Sequence, residues 1–377
     1  MTYRRAAIPA LVGSLLVTLL LWWAGASVRA LQLPGSAGVF GIETVNELRR
    51  WLAPWAYDPP AGPLSGGSAD AGAGAQYADL YRTAMHVRFV AVFAFYLAGA
   101  LLLIRRIPPA QRRTPATLLA LWAWGPVAGT LAVTVSAPWL IASGGRGSFR
   151  VLPQLANVIA SSGPVVVFAA LLTALLTVAV ARITAKGADL PPRPGVPTRA
   201  ARLAASAGTA VIALSLVALS YEAVAAWIQT SFGGGGMLSE PGDLLRQWLL
   251  LGGWSGPGNT PLGDWLLYRL TDVLVLGVVW WGLRMLPGLL TRITVPAMAV
   301  GAVCVTVLGL LAGQLLKTVM DGTVGVWGPA HLFSKLGDGV PAALTFGVIA
   351  GVVAFVTLRP AGGHEVTRRS GEGAGRR

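Results

Sequence analysis

Eight apolar stretches constrain this chain more than any other feature of its sequence. At 1.5 Å per residue each is long enough to cross a hydrocarbon core of about 30 Å. They cover residues 7–31, 87–104, 116–142, 158–181, 203–228, 266–285, 295–316 and 340–358. Lipid offers no hydrogen bonds to a bare backbone, so each stretch is predicted to be a helix. The composition agrees: 12% of the 377 residues are charged and 54% are hydrophobic. A soluble domain carries about 25% charged residues, so a disordered chain, a coiled coil and an ordinary soluble enzyme are excluded. The expected fold is an all-α membrane protein of eight transmembrane helices, arranged as two parallel four-helix repeats.

The net charge of +14 would suit nucleic-acid binding if it formed one patch. It instead follows the loops. With the amino terminus inside, the inner segments hold Arg4, Arg5, Arg105, Arg106, Arg112, Arg113, Arg182, Lys186, Arg193, Arg199, Arg202, Arg284 and Arg292, with Arg359 and the tail arginines beyond. They face only Asp189, Glu365 and Glu372. Basic residues stay on the cytoplasmic side of short loops, so the excess is an orientation signal and no nucleic-acid partner is expected. The predicted location is the plasma membrane, with both termini cytoplasmic and the lipid bilayer as the principal partner. Arginine outnumbers lysine strongly and Ala and Gly are abundant, a composition that resembles chains from high-GC bacteria. The first stretch follows Arg4 and Arg5 and ends near a small-x-small site at Val28-Arg29-Ala30. It is longer than the apolar core of a signal peptide and is read as a retained helix.

Local matches recur in the same order in both halves. Leu48-Arg49-Arg50-Trp51-Leu52 pairs with Leu245-Arg246-Gln247-Trp248-Leu249, and Leu80-Tyr81-Arg82 with Leu267-Tyr268-Arg269. Thr114-Pro115-Ala116 pairs with Val295-Pro296-Ala297, and residues 155–157 with 336–338. A unit with an even number of spans re-enters the membrane from the same side, so such repeats are parallel. The expected units are residues 1–181 and 203–358. A Pro- and Arg-rich linker joins them over 182–202, and a basic tail expected to be disordered covers 359–377.

The outer loops 32–86 and 229–265 each suggest a short helix. Thr44-Val45-Asn46-Glu47 fits a capping box, and Ser239 with Pro241 fits another helix start. Tryptophans 51, 55, 248 and 254 suggest interfacial helices lying at headgroup level. Glycines four apart, at 125/129, 309/313 and 347/351, mark faces where helices approach closely. The last two pairs suggest contact between the seventh and eighth spans.

Ionisable residues inside spans are the strongest functional pointers. Glu222 and Asp272 each lie about 9 Å from the outer end of their predicted spans. Arg29, His86, Arg88, Arg269 and Lys317 fall near the same level. These seven residues define a candidate polar vestibule, open to the outside. They fit equally a set of structural ion pairs, with Arg29, Arg88 and Lys317 snorkelling toward water.

Catalytic signatures are missing. The sequence has no phosphate-binding Gly-rich loop, no His-Glu-x-x-His pair and no complete nucleophile elbow. Its single cysteine, Cys304, rules out an intrachain disulfide, and no cofactor or metal site is expected. The favoured role is therefore permease-like or transport-associated, for a small-molecule solute the sequence does not specify. A non-catalytic membrane scaffold or assembly partner, recruiting a membrane or cytosolic protein, is the rival. An unrecognised intramembrane enzyme is the third reading.

Overall fold

A computed structural model describes residues 3–31, 41–57, 71–109, 113–143, 151–160, 163–185, 196–231, 241–253, 262–320 and 336–374. Trp254, Ser239, the Gly-rich run 233–236 and prolines 191, 192 and 194 lie outside them. The described chain is helical throughout. Eight of its helices contain segments long and apolar enough to cross a membrane: Arg5–Ala30, Gln76–Arg106, Thr114–Ser143, Val165–Thr184, Thr198–Leu219, Trp265–Leu289, Val295–Met320 and Gly339–Arg359.

The helices carrying them are α1 (Tyr3–Ala30), α3 (Ala71–Arg106), α4 (Thr114–Ser143) and α6 (Gly163–Thr184), then α7 (Thr198–Ala213), α10 (Leu262–Leu289), α11 (Val295–Met320) and α12 (Leu336–Ala374). Shorter helices fill the connections: α2 (Ile42–Leu52), α5 (Val151–Ala160), α8 (Glu222–Thr230) and α9 (Gly242–Leu249). The α12 helix runs on past Arg359, through the tail that the sequence leaves unstructured. Extending a helix costs far less than nucleating one.

Helix contacts follow chain order. The first four spans close a ring in which α1 meets α3, α3 meets α4, α4 meets α6 and α6 returns to α1. The second four do the same: α7 meets α10, α10 meets α11, α11 meets α12 and α12 returns to α7. The rings join along α4 and α11, whose spans are each 67% buried against 22% for α10. Across that seam Cys304 Sγ approaches the Ala120 carbonyl at 3.4 Å. At the arginine-rich end the Thr291 backbone N–H donates to the Arg106 carbonyl at 2.8 Å.

Small residues set the closest approaches. Gly125 and Gly129 face Ala170 and Val166, fitting α4 against α6. Gly347 and Gly351 face Val303 and Ala299, so α12 meets α11 as the sequence suggests. Gly309 and Gly313 do not share that contact. They face Val275 on α10 instead, so α11 turns its glycines to α10 and meets the glycines of α12 with Ala299 and Val303.

Two predicted spans are interrupted. The fourth is split into α5 and α6, with Gly163 and Pro164 opening the second piece, where a proline is tolerated. The fifth ends in a wide π turn over Leu214–Leu219, and Tyr221 is extended (φ −62°, ψ 133°) before α8 begins. Ser220 Oγ donates to the Ser215 carbonyl at 2.7 Å, and Ser215 Oγ to the Leu249 carbonyl at 2.5 Å. The π turn is thus tied to the end of α9. Pro126 and Pro138, by contrast, sit within an unbroken α4.

Segments between the long helices enter the bundle. Helix α2 starts at Ile42, with Gly41 as its N-cap at φ 81° and no side-chain cap, so Thr44 is inside the helix and forms no capping box. Left-handed backbone of this kind strains any residue with a Cβ. A 3₁₀ turn, Ala53–Trp55, follows α2. Trp55 does not lie on an exposed surface: it is completely buried, with its carbonyl against Gly25 of α1 and its ring 6.0 Å from Phe89. In the second half Leu250 and Leu251, just past α9, are buried in the same manner.

Candidate functional site

The seven candidate residues separate into two polar centres and two outliers. The first centre belongs to α10 and α11. Arg269 and Asp272 are one helical turn apart and form an ion pair at 2.9 Å, each side chain 14% exposed. Arg269 stacks over Trp265, its guanidinium carbon 5.8 Å from the ring centroid, and its Nη2 reaches toward the Gly253 carbonyl at 3.4 Å. Lys317, in the last turn of α11, lies within electrostatic reach of Asp272. Gly313 makes this possible. Its missing side chain lets α11 close on Val275, one turn from Asp272.

The second centre belongs to the first ring. Arg88 on α3 is 1% exposed. Its Nε donates to Ser136 Oγ on α4 at 2.9 Å, and its Nη1 donates to the Pro54 carbonyl. The face of Trp55 lies 5.8 Å from its guanidinium carbon. Two side-chain contacts support this arrangement: Tyr81 donates to the Ala56 carbonyl at 2.8 Å, and the exposed His86 pairs with the Tyr57 hydroxyl. Burial of a guanidinium costs free energy unless its donors are matched. Here the matches are neutral oxygens and an aromatic face.

The outliers are Glu222 and Arg29. Glu222 is the first residue of α8 and is exposed. The long apolar segment Thr198–Leu219 ends with the π turn, just before Glu222. A carboxylate in the first turn of a helix is stabilised by the macrodipole, which accounts for it locally. Arg29 is exposed in the last turn of α1, the matching position for a cation.

The sequence places Arg88 with the snorkelling arginines; the structure gives it a buried shell. Trp55, Pro54 and Ser136 complete that shell and carry no ionisable group, so only the burial of the 53–55 turn reveals them. Among the described residues no three His, Cys, Asp or Glu side chains gather as a metal site.

Fold and site together define an all-helical protein with eight helices long and apolar enough to span a membrane, and Arg88, the Arg269–Asp272 pair and Lys317 fall within three of those segments. No family model, no curated protein and no solved structure matches the chain.

Proposed function

We propose that this chain is a permease-like protein of the plasma membrane, which engages a polar solute at its loop-bearing face. The observation that carries the reading is the Arg269–Asp272 pair inside α10, joined by Lys317 from α11. An ion pair taken out of water rarely gains what a pair of leucines would. Ionisable groups kept within a span therefore point to function before stability.

Two further parts of the reading have support. The cyclic contact order α1–α3–α4–α6 is repeated by α7–α10–α11–α12, which favours two parallel four-helix repeats. In each half the second span also holds the segment behind the loop helix, through Tyr81 to Ala56 and through Arg269 to Gly253. The clustering of arginines at the end opposite α2, α8 and α9 favours that end as cytoplasmic.

The test is transport by purified protein in proteoliposomes loaded with cell extract, with the solutes released or retained read by mass spectrometry. The expected result is selective movement of one class of polar solute by the wild type, lost when Arg269→Leu and Asp272→Leu are combined, which removes the pair without leaving a buried charge. Indistinguishable profiles for protein-containing and empty liposomes would overturn it. So would a stable protein partner that co-purifies while no solute moves, which is the outcome a scaffold gives.

A further inference from the structure

We propose that Arg88 and Trp55 form a binding site for a phosphate group, whose place in this structure is held by the Pro54 carbonyl. The argument starts from a shortage of acceptors. Arg88 Nη2 and Trp55 Nε1 are both buried, and neither has a hydrogen-bond partner among the described residues. The two side chains touch through the cation–π contact. Two adjoining buried side chains thus carry a full positive charge and two orphaned donors, where native interiors leave few such groups unpaired.

The chemistry of the donors selects the ligand class. A guanidinium presents N–H groups in a fixed fork that matches an oxyanion, and charge-assisted bonds of this kind are about twice as strong as neutral ones. The Pro54 carbonyl is one neutral acceptor. A phosphate brings several charged oxygens, enough for Nη1, Nη2 and the indole N–H together.

Position along the helix narrows the choice. Arg88 stands about 27 Å along α3 from Arg106, at 1.5 Å per residue. If Arg106 marks one edge of a hydrocarbon core of about 30 Å, Arg88 lies close to the other. Phosphate is abundant at that level, as phospholipid headgroups or as a group on a dissolved molecule.

The structure also supplies a route. Pro54 and Trp55 belong to the segment 42–57, which enters the bundle from the loop side. Its contacts include the Tyr81 bond to Ala56, the Tyr57–His86 pair, the packing of Trp55 and Tyr57 on Phe89 and the seat of the Trp55 carbonyl on Gly25. Withdrawal of this segment takes the Pro54 carbonyl with it and opens Arg88 to the loop side. The site belongs to the first ring, apart from the Arg269–Asp272 pair. Phosphate would bind there whether or not any solute crosses.

Thermal unfolding of the full-length protein tests this. Cys304 is the only cysteine and is buried, so a thiol-reactive dye reports unfolding without added labels. The probes are inorganic phosphate against chloride at equal ionic strength in lipid-free detergent, and phosphatidylglycerol against phosphatidylcholine nanodiscs. Phosphate, phosphatidylglycerol or both should raise Tm; whichever acts identifies the source of the group. Arg88→Gln should abolish the rise. Trp55→Phe keeps the ring but removes the N–H, and should weaken apparent affinity about fivefold, the equivalent of one hydrogen bond. If Arg88→Gln fails to fold, Trp55→Phe decides. A rise that both variants retain, or none with either probe, overturns the proposal. Labelling of Ala56→Cys should quicken as phosphate binds; unchanged labelling at saturation would overturn the exchange with Pro54.

Discussion

Gly351→Ala should loosen the α11–α12 seam, although it adds a single methyl to a helix. A Cβ built at Gly351 would stand 2.5 Å from the Ala299 Cα and 2.6 Å from the Met298 carbonyl oxygen. Carbon contacts are optimal at about 3.5–4.0 Å. Because the obstructing atoms are backbone, no rotamer change relieves them, and the helices must part locally by about 1 Å. A gap of that order forfeits about a quarter to a half of each dispersion contact along the seam. In a bilayer such contacts are a main source of helix association. Overpacking of this kind costs about 1–3 kcal/mol, partly offset by up to about 1 kcal/mol of helix propensity gained on replacing glycine. The net expectation is a loss of about 1–2 kcal/mol, read as a lower melting temperature in the Cys304 dye assay. Gly277→Ala and Gly288→Ala on α10 are the controls. A Cβ at either meets nothing within 4 Å, so both should melt at or above wild type. A Gly351→Ala protein as stable as those controls would refute the packing argument.

Other substitutions probe the remaining contacts. Asp272→Asn leaves Arg269 without its carboxylate inside the span and should cost about 3–5 kcal/mol in denaturant titration, whereas Arg269→Leu with Asp272→Leu should recover most of it. Two equally destabilised proteins would show that the pair is not an energetic unit. Gly25→Ala drives a methyl into the Trp55 carbonyl and should expel the 3₁₀ turn, seen as faster proteolysis within residues 42–57; unchanged cleavage would contradict the close seat on α1. Ser215→Ala with Ser220→Ala removes the bonds that fasten the π turn, about 1 kcal/mol each. Hydrogen exchange should then accelerate across α9 (Gly242–Leu249) while the spans stay protected.

The sequence makes the spans legible because length and hydropathy are properties of a single segment. Every span found in the structure overlaps one read from the sequence, and the largest shift is at α3, which begins well before Val87. What the sequence hides depends on neighbours. Glycine pairs reveal a small face but not its partner, so Gly309 and Gly313 are recognisable as packing residues while their contact with Val275 is not. The π turn is tied through Ser215 to Leu249, distant in sequence, and Glu222 falls just past it at the start of α8. Trp55 reads as an interfacial residue because tryptophan suits the headgroup level. Only the folded chain shows it beneath α2, against Gly25 and Phe89. Arg269 and Asp272 are one turn apart on one helix, a spacing at which side chains meet, so their pairing is readable in advance. The shell of Arg88 comes from a carbonyl and a hydroxyl, which leave no signature in composition or spacing.

The account rests on eight crossings with the arginine-rich end inside the cell, and cysteine accessibility in intact cells tests it most directly. With Cys304 buried and silent, single cysteines at Gln76, Ser231, Ala185 and Arg292 can be probed with a membrane-impermeant maleimide. The expected result is labelling at Gln76 and Ser231 in intact cells, and at Ala185 and Arg292 only after permeabilisation. Labelling of Ala185 or Arg292 from outside, or equal labelling of all four positions, would contradict it.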